Sequence, residues 1–192
     1  MDTFEEATKQ LSKSGAVGVI PTDTVYGLVA RADDPEAVRR LYGLKEREGK
    51  PGTLIACCID HLVRLGLKGR YLKAVANYWP GPVSIIIPCG PELAYLHQGA
   101  GSLAVRVPDD GTLVDFLEQT GPLLTSSANH PGRPVSTTIE EARAYFGGRV
   151  DFYVDGGNLS GHQPSTIIRV VDDAIEVLRE GAVKIENNGI KQ

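Results

Sequence analysis

Apolar positions along the chain repeat at two spacings, and these divide it into helices and strands. In residues 5–14, Ala7 and Leu11 stand at i, i+4 ahead of Gly15, which predicts an amphipathic helix. Residues 16–20 follow as a short buried strand, stopped at Pro21. Asp34-Pro35-Glu36 supplies a cap with proline at the first helical position, and Val38, Leu41, Tyr42 and Lys45 share a face of the helix that follows. That helix delivers Lys45 near its end. A strand is predicted over 54–59, a short helix capped by Asp60 through Leu67, and a helix over 70–78 closed by Trp79-Pro80-Gly81-Pro82. Strands over 83–88 and 103–107, a helix over 111–119, a strand over 123–125 and a helix over 139–146 with Thr138 as cap come next. The last third is strand-rich, at 152–154, 166–171, 175–178 and 183–185.

Strands and helices mixed without a regular βαβ rhythm predict an α/β or α+β sheet rather than a Rossmann or TIM architecture. With 192 residues, no internal repeat and no linker-like run, one domain over 1–192 is expected. Hydrophobic residues at 42% and charged residues at 23% are ordinary for a soluble globular protein and disfavour disordered and membrane classes. The apolar stretch 83–88 is far too short to cross a bilayer, and the acidic start Met1-Asp2-Thr3-Phe4-Glu5-Glu6 is unlike a signal peptide, so a cytoplasmic protein is expected. Cys57, Cys58 and Cys89 lack zinc-site spacing, and the apolar run 53–59 predicts that Cys57 and Cys58 are buried strand thiols. His61, His97, His130 and His162 read as loop histidines, with no zinc and no covalent nucleophile expected. The net charge of −4 gives no support to bulk nucleic-acid binding, although a local basic cleft is compatible with it.

Four segments put polar side chains beside buried strands. Pro21-Thr22-Asp23-Thr24-Val25-Tyr26-Gly27-Leu28 brings hydroxyls, a carboxylate and a phenol to a strand end, suited either to a small polar ligand or to a self-satisfied Asx/ST turn. Lys45-Glu46-Arg47-Glu48-Gly49-Lys50 places three cations in six residues, suited to a triphosphate or to a solvated helix terminus. Residues 124–138 run from a strand into Ser126, Ser127 and Asn129, a Gly/Pro turn, and then Ser136, Thr137 and Thr138, donors for an anion or caps for the next helix. In the strand before Pro108, alternation puts Ser102, Ala104 and Arg106 on one face, where Arg106 either grips a carboxylate or faces solvent.

Taken in order, Pro-Thr-Asp-Thr-Val-Tyr-Gly-Leu at 21–28, Lys-x-Arg at 45–47, Trp-Pro-Gly-Pro-Val at 79–83, Ala-Val-Arg-Val-Pro at 104–108, Ser-x-Asn at 127–129 and Ser-Thr-Ile-Ile at 165–168 resemble the YrdC/Sua5 family. The resemblance runs from about Pro21 to Ile185. It implies a twisted mixed, largely open β-sheet flanked by helices, with a concave electropositive cavity (a YrdC/RibB-like fold) and without the C-terminal domain of the Sua5 type. It also implies contact of Lys45, Arg47, Lys50 and Asn129 with ATP phosphates, completed by Ser102, Thr137 and Arg179. Thr24, Arg106, Ser127 and Ser165 would hold L-threonine, with Thr22 and Tyr26 in the wall. Lys45, Arg47, Ser127 and Asn129 are thus the catalytic candidates.

The implied reaction joins L-threonine, bicarbonate and ATP, with Mg²⁺ on the phosphates, into threonylcarbamoyl-AMP and pyrophosphate. The product would pass to a threonylcarbamoyl transferase complex that modifies tRNA to t6A. A site rich in Lys, Arg, Ser and Thr suits this chemistry, because positioning and charge neutralisation supply most of the acceleration. Two other readings share the motifs: an RNA-binding module without adenylation, and carbamoyl-adenylate formation from carbamoyl phosphate. The chain departs from the family pattern at His130-Pro131, where a serine is usual, at Gly52-Thr53 and at Gly161-His162-Gln163-Pro164.

Overall fold

The computed structural model describes residues 2–46, 49–171, 174–186 and 189–191. Helix α1 (Phe4–Leu11) starts on a capping box in which Thr3 Oγ1 accepts from the Glu6 amide and the Glu6 carboxylate accepts from the Thr3 amide. Strands β1 (Val17–Ile20) and β2 (Gly27–Arg31) follow, then α2 (Pro35–Leu44), whose first turn is held by the Asp34 carboxylate on the Glu36 and Ala37 amides. Strand β2 was not indicated by the pattern. It lies inside the sheet with residues 27–30 buried on both faces, so no polar alternation marks it.

Strand β3 (Thr53–Ile55) is half the expected length. After Ala56, whose amide donates to Arg106 O, the chain turns, and Cys58 rather than Asp60 caps α3 (Ile59–Leu65). The expected helix over 70–78 divides into α4 (Gly69–Ala74) and a 3₁₀ turn (Ala76–Tyr78). Strands β4 (Val83–Pro88) and β5 (Ser102–Arg106) flank a short α5 (Ala94–His97). Next come α6 (Gly111–Thr120), β6 (Leu123–Ser127), α7 (Ile139–Phe146) and β7 (Phe152–Tyr153). The tail forms β8 (Thr166–Val171), β9 (Ala174–Arg179) and a separate ribbon of β10 (Lys184–Glu186) with β11 (Gly189–Lys191).

Among the described residues, nine strands make one open mixed sheet in the order β7-β1-β2-β6-β3-β5-β4-β8-β9. Pairs β1/β7, β3/β5 and β4/β8 are parallel and the rest antiparallel. Alternation sorts its side chains into two cores. Leu28, Ala30, Leu54, Val105 and Leu124 meet α2, α3, α5 and α7 through Val38, Leu41, Leu62, Leu96 and Phe146. On the opposite face Val29, Ile55 and Leu123 meet α1 and α6, through Ala7, Leu11, Leu113 and Phe116. Gly27, Thr53, Ala104, Arg106 and Thr125 continue that second face beyond the two helices, where they line an open cavity. No helix among the described residues is long and apolar enough to cross a membrane.

At Gly52 the backbone passes so close to β6 that an added Cβ would lie 2.6 Å from Thr125 O and 3.1 Å from Leu124 Cδ1. This is the physical basis for glycine at a position where the sequence departs from the family pattern. Gly52→Ala is expected to cost about 1–3 kcal/mol through overpacking. For a chain of this size that is a fall of roughly 2–12 °C in Tm, read by calorimetry.

Candidate active site

The cavity has a volume of about 280 Å³. That is just under the roughly 300–1,000 Å³ usual for small-ligand sites. Its wall is built chiefly from four places: the segment 22–27, Pro51-Gly52-Thr53 leading into β3, the facing rows of β5 and β6, and the far strands β4, β8 and β9. Thr22, Thr24, Ser102, Arg106, Ser127, Ser165 and Arg179, all expected site residues, stand in that wall. Ser102, Ala104 and Arg106 share the face that alternation assigned to them. Among the described residues lining the cavity, Arg106 and Arg179 are the ionised side chains.

Arg106 is 3% exposed. Its Nη2 donates to Asp23 Oδ1 at 2.9 Å and reaches Thr24 Oγ1 at 3.5 Å, while Nη1 approaches Ser84 Oγ at 3.5 Å. Both Arg106 Nε and Asp23 Oδ2 are buried without a hydrogen-bond partner. The ion pair is therefore single-pronged, although a guanidinium fork and a carboxylate can pair by two bonds. Burial holds the Asp23 carboxyl above its usual range, with Arg106 pulling the other way, and lowers the Arg106 guanidinium, with Asp23 again opposing. In both groups desolvation outweighs pairing.

The network continues across the sheet. Ser84 Oγ lies 2.9 Å from Ser165 Oγ, and Arg179 donates through Nε and Nη2 to Ser165 O and through Nη2 to Ser165 Oγ. At the other end Thr22 Oγ1 lies 3.0 Å from Thr24 Oγ1 and donates to Val25 O. Polar contact thus runs from β9 to the 21–26 turn. Asp23, read from the sequence as the carboxylate of a ligand-binding or Asx/ST turn, is the partner of Arg106, and Ser84 is a member that sequence reasoning gave no role. The signal for Ser84 was a lone hydroxyl in the apolar run Val83-Ser84-Ile85-Ile86-Ile87, placed by alternation on the same face as Ile86.

The other expected residues sit differently. Lys45, the C-cap of α2, is 3% exposed and points into the loop after β6, donating to Ser127 O at 2.7 Å, to Asn129 O, and to Asn129 Oδ1 at 3.2 Å. Ser127 Oγ donates to Asn129 Oδ1, and Asn129 Nδ2 donates to Arg133 O, which closes the loop. Lys45 and Asn129 thus stand behind the wall residue Ser127. Tyr26 corrects the expectation of a wall residue: it is fully buried on the opposite face, its hydroxyl donating to Gly157 O and accepting from the Gly156 amide. Alternation gives the cavity to Gly27 and the core to Tyr26. Thr137 donates from its amide and hydroxyl to Glu141 at the start of α7, and Lys50 is exposed. Arg47 lies outside the described residues.

His130 turns away from the loop, edge-on to Tyr145 and Phe146, with Nε2 at 3.1 Å from Tyr145 O. His97 is buried on α5, where Nδ1 accepts from the Gly99 and Gly101 amides, and His61 lies on α3, so neither is a loop histidine. The expected strand thiols are also corrected. Cys57 is half-buried and Cys58 exposed, because β3 ends before them. Burial and the neighbouring Cys58 push the Cys57 thiol up to about 12, which leaves it protonated and unsuited to unaided nucleophilic attack at neutral pH.

The model of the Sua5/YciO/YrdC family, described as telomere recombination, matches residues 10–181. The chain belongs to the Sua5/YciO/YrdC family. The Vibrio campbellii threonylcarbamoyl-AMP synthase is 32% identical over 188 residues, covering 94% of this chain and 100% of that protein. The crystal structure of P. abyssi Sua5 complexed with L-threonine superposes with a TM-score of 0.84 at 26% identity, over 96% of this chain. This chain spans only 56% of the P. abyssi one. E. coli YciO superposes with a TM-score of 0.81 at 26% identity, covering 96% of this chain and 91% of that one. The open mixed sheet with its cavity beyond α1 and α6 is therefore the Sua5/YciO/YrdC fold.

Proposed function

We propose that this member of the Sua5/YciO/YrdC family is a cytoplasmic nucleotidyltransferase that makes threonylcarbamoyl-AMP for t6A modification of tRNA. The observation that carries the reading is the buried Arg106, held to Asp23 by a single bond in the wall of a hydroxyl-lined cavity, in a fold whose P. abyssi relative was crystallised with L-threonine. A carboxylate entering the cavity meets the Nη1 and Nη2 amines of Arg106, which keep hydrogens beyond the single close bond to Asp23. Thr22, Thr24, Ser127 and Ser165 then offer hydroxyls to the amine and side chain of threonine.

In the reaction the threonine amine adds to the carbon of bicarbonate with loss of water, giving a carbamate. A carbamate oxygen attacks the α-phosphorus of ATP, and the bond to the β-phosphate oxygen breaks to release pyrophosphate. We assign the orientation of the nucleotide to Ser102 and Arg179 in the cavity wall and to the 127–133 loop tied down by Lys45. The wall offers hydroxyl oxygens rather than carboxylates among the described lining residues, and its neighbour Asp23 is committed to Arg106. This fits Mg²⁺ that arrives on the phosphates and needs few protein ligands. Bound there, Mg²⁺ would neutralise charge on the departing pyrophosphate.

Purified protein is expected to release pyrophosphate from ATP only when both threonine and bicarbonate are present, with threonylcarbamoyl-AMP identified by liquid chromatography and mass spectrometry. Release indifferent to threonine would sink the reading. RNA retention without any pyrophosphate release would replace it with a binding role, and release driven by carbamoyl phosphate would replace it with carbamoyl transfer.

A further inference from the structure

Cys57, Cys58 and His61 take no part in the cavity. Cys57 Sγ lies 3.6 Å from Cys58 Sγ and 3.3 Å from His61 Nδ1, and the three ligand atoms all fall within 4.8 Å of one another. Local chain geometry produces this convergence. Side chains of adjacent residues diverge in a strand, but pairing ends at Ala56 and the chain turns at Cys58 into α3. His61, the third residue of that helix, folds back toward the cap position, where the Cys58 side chain makes no capping hydrogen bond of its own.

The separations match a known coordination figure. With Zn–S of about 2.3 Å and Zn–N of about 2.0–2.1 Å, ligand atoms at two corners of a tetrahedron stand roughly 3.5–3.8 Å apart. The two observed edges lie within a few tenths of an ångström of that span without any side chain being moved. Both thiols are free, so neither sulfur is withheld in a disulfide. Two thiols and an imidazole are a donor set that selects thiophilic ions over Mg²⁺ or Ca²⁺.

We propose that Cys57, Cys58 and His61 bind a thiophilic metal ion of the Zn²⁺ class, with the fourth position open to water. The ion takes two thiolate sulfurs and the lone pair of neutral His61, and two thiol protons are released to solvent, so its charge is balanced by its ligands. The imidazole then carries its proton on Nε2. The half-buried and exposed setting gives the ion an entry path.

The test is a titration of the whole, reduced chain with Zn²⁺ against a chromophoric chelator, with Co²⁺ as the spectroscopic probe. One ion per chain is expected, with a sulfur-to-cobalt charge-transfer band. Cys57→Ser, Cys58→Ser and His61→Ala should each weaken binding by more than the roughly 10–100-fold that loss of an outer-shell partner costs. Cys89→Ser, at the Ser102 end of β5 rather than the Arg106 end, should leave it unchanged. Because Cys58 is exposed, its metal-free serine variant melts with the parent, and weaker binding there reports lost ligation rather than unfolding. Full affinity in Cys58→Ser, or Co²⁺ bound without a thiolate band, would overturn the proposal.

Discussion

Arg106→Ala is expected to abolish threonine-dependent pyrophosphate release and to unfold the protein roughly 6–20 °C earlier. Two separate losses are involved. The first is binding: a guanidinium gives a carboxylate two charged hydrogen bonds worth about 1.5–3 kcal/mol each, so threonine affinity should fall at least roughly 100-fold. The second is stability, because Asp23 is left buried and unpaired at a cost of about 3–5 kcal/mol. These losses separate in a double variant. Adding Asp23→Asn removes the stranded charge and should recover much of the melting temperature while threonine binding stays lost. Arg106→Lys keeps the charge but not the fork, and should bind threonine with intermediate affinity. Calorimetric titration of threonine alongside thermal melts reads both effects. Normal threonine affinity in Arg106→Ala, or its return in the double variant, would show that Arg106 serves only the fold.

That pair illustrates what the residue pattern could carry and what it could not. The side of the strand that Arg106 faces follows from a period of two, and β5 keeps it. The identity of its neighbour does not follow, because Asp23 and Arg106 lie 83 positions apart and meet only through the sheet order. Elements with strong local signals are all present: α2 with its Asp34 cap and Pro35, α7 with Thr138, and β4 with its apolar run. Elements without such signals were lost or lengthened. Strand β2, enclosed in the sheet, shows no alternation, and β3 continues into apolar Ala56, Cys57 and Cys58 although hydrogen bonding ends before the cysteines. Tyr26 was assigned to the cavity by motif, yet one step of alternation beside Gly27 sends it into the core. Local sequence therefore read α1, α2, α6, α7 and the strands β4 and β5 well, missed β2 and α5, and left the rest to register.

Lys45→Met is expected to cut pyrophosphate release about 100-fold or more, with threonine affinity falling less than turnover. Methionine can fill the path of the lysine stem, so the change isolates the ammonium. That group now donates to Ser127 O, Asn129 O and Asn129 Oδ1, and without it three oxygens facing a buried position lose a charged donor. Leaving them unsatisfied should cost about 1–3 kcal/mol, a fall of roughly 2–12 °C in Tm. The larger effect is geometric. Lys45 ties the end of α2 to the loop that carries Ser127 into the cavity wall, so releasing it lets the hydroxyl and the loop amides drift relative to Arg106 across the site. Displacement of even 1 Å separates reactants that must be aligned for attack on the α-phosphorus, and costs of about 100-fold follow from such shifts. Lys45→Arg restores charge but not fit, since a planar fork cannot occupy the compact space among three converging oxygens, and it should remain impaired. Steady-state kinetics in ATP and threonine, set beside threonine calorimetry, checks this. Turnover unchanged in Lys45→Met would mean that the loop holds its place without the strut, and that the phosphates are gripped from elsewhere in the cavity.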